Sequence, residues 1–306
     1  MKHTFLQFEL WKDCNNKCAF CFNDNSRTSA EFKENRIDLV MKELANPEYN
    51  TIEKIGFIGG EFFDGQLETQ SLRDKFTRLV NIPLTNQKIK QVLITTSLLL
   101  KNNKDLIYFL NNINNKQKLL LCTSWDTKYR FKTPEALHTW ENNVEYIHKH
   151  YPQVKIHVEI IPTQWHIESV LSDKFNILDF EKKYDVTVDY TDLNSGFNYA
   201  DKYAFQKAVP GFFPKRDDFL KFLQKVYTEK QATTFKFLNF AAMSTLLWMT
   251  VDKKYTLFNG LRGPIDGITI NTEYGLPPMQ EKTSDYIDSH VRMRKDVLDM
   301  WEVVYA

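Results

Sequence analysis

The segment FLQFELWKDCNNKCAFC, residues 5–21, joins a predicted β-strand to three of the chain's four cysteines. Its first part is rich in aromatic and aliphatic residues, which is typical of a strand. Its second part, from Cys14 to Cys21, contains asparagine and lysine, which favour an exposed loop. The segment therefore predicts a strand followed directly by a loop that carries clustered thiols.

Five further β-rich runs follow the first, and helical patterns separate them. The six predicted strands cover residues 5–11, 53–59, 90–97, 118–124, 154–161 and 185–191. The helical patterns cover residues 36–46, 69–80, 103–114, 134–149 and 165–182. Because βα connections are right-handed, this alternation predicts an α/β fold, a partial (β/α)6 TIM-like barrel.

The alternation stops after residue 192, where Gly, Pro and aromatic residues replace the next βα pair. We predict a core over residues 1–192 and a C-terminal α+β extension over 193–306 that closes the barrel and shapes the substrate pocket. Its predicted elements are helices near 216–230, 235–248 and 289–303, and strands at 255–258 and 267–271. Its candidate pocket-wall residues are Tyr190, Asn194, Phe197, Tyr199 and Tyr203, for which core packing is the alternative.

The composition is that of a globular protein without a strong charge. Hydrophobic residues make up 42% of the chain and the formal net charge is +1, so no overall charge indicates a nucleic acid or a membrane surface as partner. No apolar run has the length of a signal sequence or a bilayer-spanning helix. We expect a cytoplasmic protein with no membrane partner, in which thiols stay reduced.

Four interpretations of Cys14, Cys18 and Cys21 compete. A structural zinc needs a fourth ligand, and the nearest histidine in sequence, His3, precedes the strand. A disulfide leaves one thiol over in a reducing compartment, and burial as small apolar residues conflicts with the polar neighbours. The fourth interpretation is a 4Fe-4S cluster with three irons held by thiolates and one iron open, and the position after a barrel strand agrees with it.

The loop resembles the signature of the radical S-adenosylmethionine (SAM) superfamily, CxxxCxxC with an aromatic residue, here Phe20, before the last cysteine. The resemblance implies one 4Fe-4S cluster on Cys14, Cys18 and Cys21, with SAM bound to the open iron. It also implies a one-electron donor such as flavodoxin or ferredoxin, and cleavage of SAM to a 5'-deoxyadenosyl radical that abstracts hydrogen from a substrate. No cysteine follows Cys122, so we expect a single cluster.

Further residues match positions at which this family binds SAM. Gly59, Gly60 and Glu61 match its GGE motif, in which the backbone approaches the ligand and the carboxylate meets the methionyl ammonium. A plain glycine turn is the alternative. By the same resemblance Ser124 contacts the ribose and Arg130 pairs with the SAM carboxylate, unless Arg130 is a solvated loop charge. The looser assignments to the SAM site are Thr96, Ser97, Ile161 and Thr163.

Alternation along the last two core strands leads to a prediction about the substrate. The polar residues His157, Glu159 and Asp189 lie on the faces that we expect to line the barrel, which favours a polar substrate. An exposed edge strand or a bulge is the alternative. Cys122 shares a face with Ser124 and is a candidate hydrogen-atom donor, although a buried core cysteine is the simpler interpretation.

The function predicted from these motifs is that of a radical SAM enzyme acting on a peptide or a nucleotide. Two alternatives stay open. The first is a non-catalytic metal-binding barrel whose thiols hold zinc or an inert cluster. The second is a glycyl-radical-type activating enzyme that acts on a protein partner.

Overall fold

A computed structural model describes residues 3–16, 18, 27–45 and 52–190. Farther along the chain it describes 215, 217–219, 221–222, 225–226, 246–249, 255–258, 262–265 and 268–272. The predicted residues Phe20, Cys21, Asn194, Phe197, Tyr199 and Tyr203 lie outside these ranges, as does the side chain of Asp189. No helix in the described ranges has the length and apolar character needed to cross a bilayer.

Six strands alternate with helices in the first part of the chain. The strands are β1 His3–Glu9, β2 Lys54–Ile58, β3 Gln91–Thr95, β4 Leu119–Ser124, β5 Lys155–Ile160 and β6 Thr187–Tyr190. The helices are α1 Ala30–Leu44, α2 Gln70–Thr85, α3 Lys104–Asn112, α4 Pro134–His150, α5 Gln164–Leu171 and α6 Ile177–Tyr184. A short 3-10 helix, Lys116–Lys118, precedes β4. This alternation confirms the predicted α/β class and is consistent with a partial (β/α)6 barrel.

Four more strands come from the C-terminal part of the chain, and they belong to the same sheet as β1. They are β7 Leu246–Met249, β8 Tyr255–Phe258, β9 Arg262–Ile265 and β10 Ile268–Thr272. β10 pairs antiparallel with β1, and β2 pairs parallel with β1 on the other side. β1 is therefore an interior strand of the sheet.

The chain divides into two compact units. The first contains the described residues of Met1–Thr123, Phe131–His157 and Ser244–Tyr274. Its strand order is β5-β4-β3-β2-β1-β10-β7-β8-β9, and β1 to β4 pair in parallel. The second unit contains the described residues of Ser124–Arg130, Val158–Met243 and Gly275–Ala306, and in it β6 lies beside the end of β5.

An aromatic core fixes the segments that follow β1 and β2. Trp11, Phe62, Phe63, Phe76 and Phe109 are all fully buried. The Trp11 and Phe62 ring centroids are 5.1 Å apart, and those of Phe63 and Phe109 are 5.2 Å apart. Each buried side chain of this size contributes about 2 to 3 kcal/mol relative to exposure. The segments after β1 and β2 are thus anchored in one core.

The helix predicted over residues 165–182 is wrong as a single element, because α5 ends at Leu171 and α6 begins at Ile177. Asp173, between the two, has a left-handed φ of 58°, which an α-helix does not contain. Asn176 then caps α6 by accepting the N–H groups of Leu178 and Asp179 at 2.9 and 3.1 Å. Asp173 and Asn176 therefore divide the predicted helix into two short helices.

In the C-terminal part the predicted strand at 255–258 is confirmed, and the one at 267–271 is confirmed within one residue. Residues 217–219, 221–222 and 225–226 are helical, in agreement with the predicted helix near 216–230. The helix predicted over 235–248 is wrong at 246–248, where β7 pairs with β8 and β10. Residues 235–245 and the helix predicted at 289–303 lie outside the described residues.

Candidate cysteine-loop site

The chain that follows β1 runs alongside the chain that follows β2. Three backbone hydrogen bonds join them, from Leu10 N to Ile58 O at 2.9 Å, from Gly60 N to Trp11 O at 2.8 Å and from Glu61 N to Asp13 O at 2.7 Å. These bonds continue the parallel ladder beyond the ends of both strands. The last of them reaches the residue before Cys14, so the ladder fixes where the cysteine loop begins.

Both glycines of the predicted GGE motif are required by this close approach. A Cβ atom on Gly60 would lie 1.8 Å from the carbonyl oxygen of Asp13, and one on Gly59 would lie 2.3 Å from that of Trp11. No side chain fits at such distances without a shift of the backbone. The glycines therefore bring the second strand against the start of the cysteine loop.

Glu61 uses its carboxylate to join the chain after β2 to the chain after β3. The side chain is fully buried. Oε1 accepts the N–H groups of Phe62 and Phe63 at 2.9 and 3.0 Å and the hydroxyl of Thr96 at 2.8 Å. Oε2 accepts the Ser97 N–H at 2.6 Å. Hydrogen bonds to a carboxylate are stronger than neutral ones, so this cluster holds the two strand ends together.

Thr96 and Ser97, which directly follow β3, are partners of Glu61, and both are buried. Their predicted contact with SAM stays a prediction. Ser97 also accepts a hydrogen bond from Asn16 Nδ2 at 2.9 Å through its hydroxyl oxygen. Asn15 Nδ2 donates to the Asp64 carbonyl at 2.8 Å and to its carboxylate at 3.0 Å. The first residues of the cysteine loop are therefore bound to the chain after β2 and to the chain after β3.

Two of the three loop cysteines fall within the described residues. Cys14 and Cys18 are partly exposed. Cys14 Sγ accepts the Asn16 N–H at 3.4 Å, a contact that stabilises negative charge on sulfur. The described residues, which exclude Cys21, contain no group of three or more His, Cys, Asp or Glu side chains arranged to hold a metal. The three-thiolate ligand set stays a prediction.

Cys122 differs from the loop cysteines in its surroundings. Its side chain is buried within β4, and its carbonyl oxygen accepts the Thr96 N–H at 2.8 Å. β4 pairs with β3 over four residues that include Cys122. These contacts fit the core cysteine that the sequence offered as the simpler interpretation.

Ser124 and Arg130 belong to the second unit, where Asp126 organises the turn between them. Asp126 Oδ1 accepts the N–H groups of Lys128 at 2.9 Å, of Tyr129 and of Arg130 at 3.3 Å. Burial raises the pKa of the Asp126 carboxyl, and the three N–H groups oppose that rise. Arg130 Nε is buried and has no hydrogen-bond partner among the described residues. A buried N–H of this kind suits an anionic ligand.

Two further predicted residues of the second unit, Ile161 and Thr163, follow the end of β5. Ile161 and Thr163 are both buried, and the Thr163 hydroxyl accepts the His166 N–H at 3.3 Å as the cap of α5. His157, in the first unit, is also buried, and Glu159 is partly exposed. The predicted contacts of these four residues with SAM or substrate stay predictions.

His166, which no motif in the sequence indicates, lies among aromatic rings in the second unit. Its ring centroid is 4.7 Å from that of Phe175 and 5.4 Å from that of Tyr190, and its Nε2 lies 3.0 Å from the Tyr190 hydroxyl. Burial lowers the pKa of His166 to about 3, so the imidazole is neutral. Tyr190, a candidate pocket-wall residue, is fully buried in this cluster, which fits core packing.

Comparisons with known proteins find similarity among solved structures alone. No family model matches the chain. No curated protein matches it either. Among solved structures, it is similar to the crystal structure of Streptococcus suis SuiB bound to S-adenosylmethionine, with a TM-score of 0.42 and 17% sequence identity. The alignment covers 68% of this chain and 44% of that one.

Proposed function

We propose that the chain is a radical SAM enzyme in which Cys14, Cys18 and Cys21 hold one 4Fe-4S cluster. The observation that supports this most directly is the contact between the GGE motif and the segment Trp11 to Asp13, which leads into the cysteine loop. Gly60 N–H binds the Trp11 carbonyl, and no Cβ fits on Gly60 because Asp13 lies against it. The GGE motif and the segment that precedes the cysteine motif are far apart in sequence, and they are joined through their backbones.

The two proposed ligands that the structure describes, Cys14 and Cys18, suit a cluster. Cys14 and Cys18 are partly exposed, so incoming iron can reach both thiols. Cys14 Sγ already accepts a backbone N–H, as cluster thiolates commonly do. Cys122 lies buried in β4 and belongs to the core. The loop thus offers accessible thiols, and the one cysteine outside it is enclosed by packing.

The chain's own residues hold and orient the loop. Glu61 and its four donors fix the ends of β2 and β3, while Asn15 and Asn16 bind the loop to both segments. When bound, the cluster would supply the electron that splits SAM into methionine and a 5'-deoxyadenosyl radical. The protein's task is to place the thiols so that one iron stays open to SAM.

The substrate and the electron donor belong to the same proposal. We propose a polar substrate, a peptide or a nucleotide, because polar His157 and Glu159 lie on one face of β5. We propose flavodoxin or ferredoxin as electron donor. The near-zero net charge of +1 weighs slightly against a large nucleic acid, whose phosphates require a basic surface.

Anaerobic reconstitution with iron and sulfide tests the proposal. The wild-type protein is expected to bind about four iron atoms per chain, and the EPR spectrum of the reduced cluster is expected to change when SAM is added. Cys18→Ala is expected to lose most of the iron, whereas the matched control Cys122→Ala is expected to retain it. Zinc without iron in the wild type, or equal iron in both variants, contradicts the proposal.

A further inference from the structure

The two ends of the cysteine loop, residues 14–27, are bound to each other. Asp13 precedes Cys14, and Thr28 follows the loop. Both carboxylate oxygens of Asp13 accept the Thr28 N–H at 3.1 Å, and Oδ2 also accepts the Thr28 hydroxyl. Asp13 is buried, with 5% of its surface exposed. The chain that enters the loop therefore holds the chain that leaves it.

Lys33 of α1 supplies the charge that faces Asp13. The Lys33 side chain is fully buried, and its Nζ lies 3.8 Å from Asp13 Oδ1. The same ammonium donates to the carbonyl and the side-chain oxygen of Gln66 at 3.2 and 3.1 Å and lies 3.7 Å from Glu68. Buried charges are costly unless they are paired and hydrogen-bonded, and these contacts meet that condition.

Helix α1, which carries Lys33, is itself fixed to the end of β1. Arg36 lies one turn further along the helix, and its Nε and Nη2 donate to the Glu9 carbonyl at 3.1 and 2.8 Å. Residues three apart share one helix face, so Lys33 and Arg36 point to the same side. Helix α1 is thus attached at two places, through Lys33 to Asp13 and through Arg36 to the end of β1.

We propose that Asp13, Thr28 and Lys33 form a clasp that closes the cysteine loop before any cluster binds. They are positioning residues for the loop thiols. Only the identity of what the loop holds rests on the proposed function, because the clasp is made entirely of the chain's own contacts. A loop whose ends are already joined loses less conformational freedom when its thiols bind a single cluster. The clasp therefore favours cluster binding.

Hydrogen-deuterium exchange in the metal-free protein tests the clasp directly at the Thr28 amide. Asp13→Ala removes both acceptors, and we expect exchange at Thr28 to become faster by about tenfold or more. Asp13→Asn keeps an amide oxygen that can accept the Thr28 N–H and an amide group that can bond to the Thr28 hydroxyl. We expect this variant to keep most of the wild-type protection at Thr28. The double variant Asp13→Ala/Lys33→Met also removes the buried ammonium that loses its Asp13 partner, and it is used if the single variant does not fold.

Ser29→Ala is the matched control, because Ser29 caps α1 through the Phe32 N–H and does not contact Asp13. We expect this variant to expose the Phe32 amide and to leave Thr28 protected. Unchanged exchange at the Thr28 amide in Asp13→Ala overturns the clasp. Exchange at Thr28 that is as fast in Ser29→Ala as in Asp13→Ala also overturns it, because fraying of α1 then explains the result.

The reconstituted protein provides a second readout. We expect Asp13→Ala to release iron to a chelator about tenfold faster than wild type, with Asp13→Asn in between. Equal rates in the three proteins overturn the link between the clasp and the thiols. Protection of Thr28 that depends on Asp13, in a wild-type protein that takes up no iron, supports the clasp and refutes the proposed cluster, so the two failures are distinguishable.

Discussion

Gly60 can carry no side chain, because the carbonyl oxygen of Asp13 occupies the place of a Cβ. The sequence motif suggested a glycine that lets the backbone approach a ligand. In the structure the closest approach is between two backbone segments, one after β2 and one that leads into Cys14. The same residue type is thus required for a reason that lies in the protein's own packing.

Gly60→Ala is expected to lower the free energy of unfolding of the metal-free protein by about 3 kcal/mol, because one of the two segments must move. Gly65→Ala is the control. Gly65 has a φ of 75°, and a Cβ added there would meet no atom within 4 Å, so only the left-handed backbone is penalised, by about 1 kcal/mol. Urea unfolding measures both, and an equal cost for the two variants would refute the steric explanation.

At the scale of single residues, the sequence indicates which residues belong to the motif, but it does not indicate the residues that they contact. Gly59, Gly60 and Glu61 follow from their motif. The bonds of Glu61 to Thr96 and Ser97, which are 35 and 36 residues away, leave no local trace in the sequence. The same is true of the Asp13–Thr28 contact, since it depends on where α1 starts relative to β1.

At the scale of elements, the break between α5 and α6 does have a signal in the sequence. Residues 172–176, SDKFN, contain a serine, an aspartate and an asparagine, which favour helix ends. The helical spacing of apolar residues on both sides outweighs that signal and indicates one continuous helix. His166 of α5 lies in the aromatic cluster of the second unit, so the short helix has a specific packing role.

The buried His166 predicts a pH dependence of stability. In the unfolded chain histidine takes up a proton below a pH of about 6.5, whereas the folded protein keeps His166 neutral until a pH of about 3. The unfolded state therefore binds more protons in that range, and stability is lost as the pH falls from 6.5 towards 3.

His166→Phe, which keeps an aromatic ring, is expected to remove this contribution. Between pH 7.5 and pH 5.5 the wild type is expected to lose about 1 kcal/mol more than the variant. Urea unfolding followed by tryptophan fluorescence at the two pH values measures the difference. Identical losses in the two proteins would show that His166 is protonated in the folded state as readily as in the unfolded chain.

At the scale of the whole molecule, the sequence predicts C-terminal strands but does not predict their positions in the sheet. The strand at 255–258 is evident from its composition, yet the pairing of β10 with β1 joins residues at opposite ends of the sequence. The helix predicted where β7 lies is wrong because a short apolar run fits either structure, and only the pairing with β8 and β10 decides. Pairings between strands so far apart in the sequence depend on the assembled sheet and not on local residue patterns.

The same scale carries the central claim, since the proposed cluster site lies on the loop after β1, to which the segments after β2 and β3 are bound. The most direct test is the formation of 5'-deoxyadenosine, measured by liquid chromatography and mass spectrometry. Reconstituted wild-type protein, reduced with dithionite under anaerobic conditions and supplied with SAM, is expected to produce it, and Cys18→Ala is expected to produce none. A wild-type protein that holds a reduced cluster and leaves SAM intact would contradict the account.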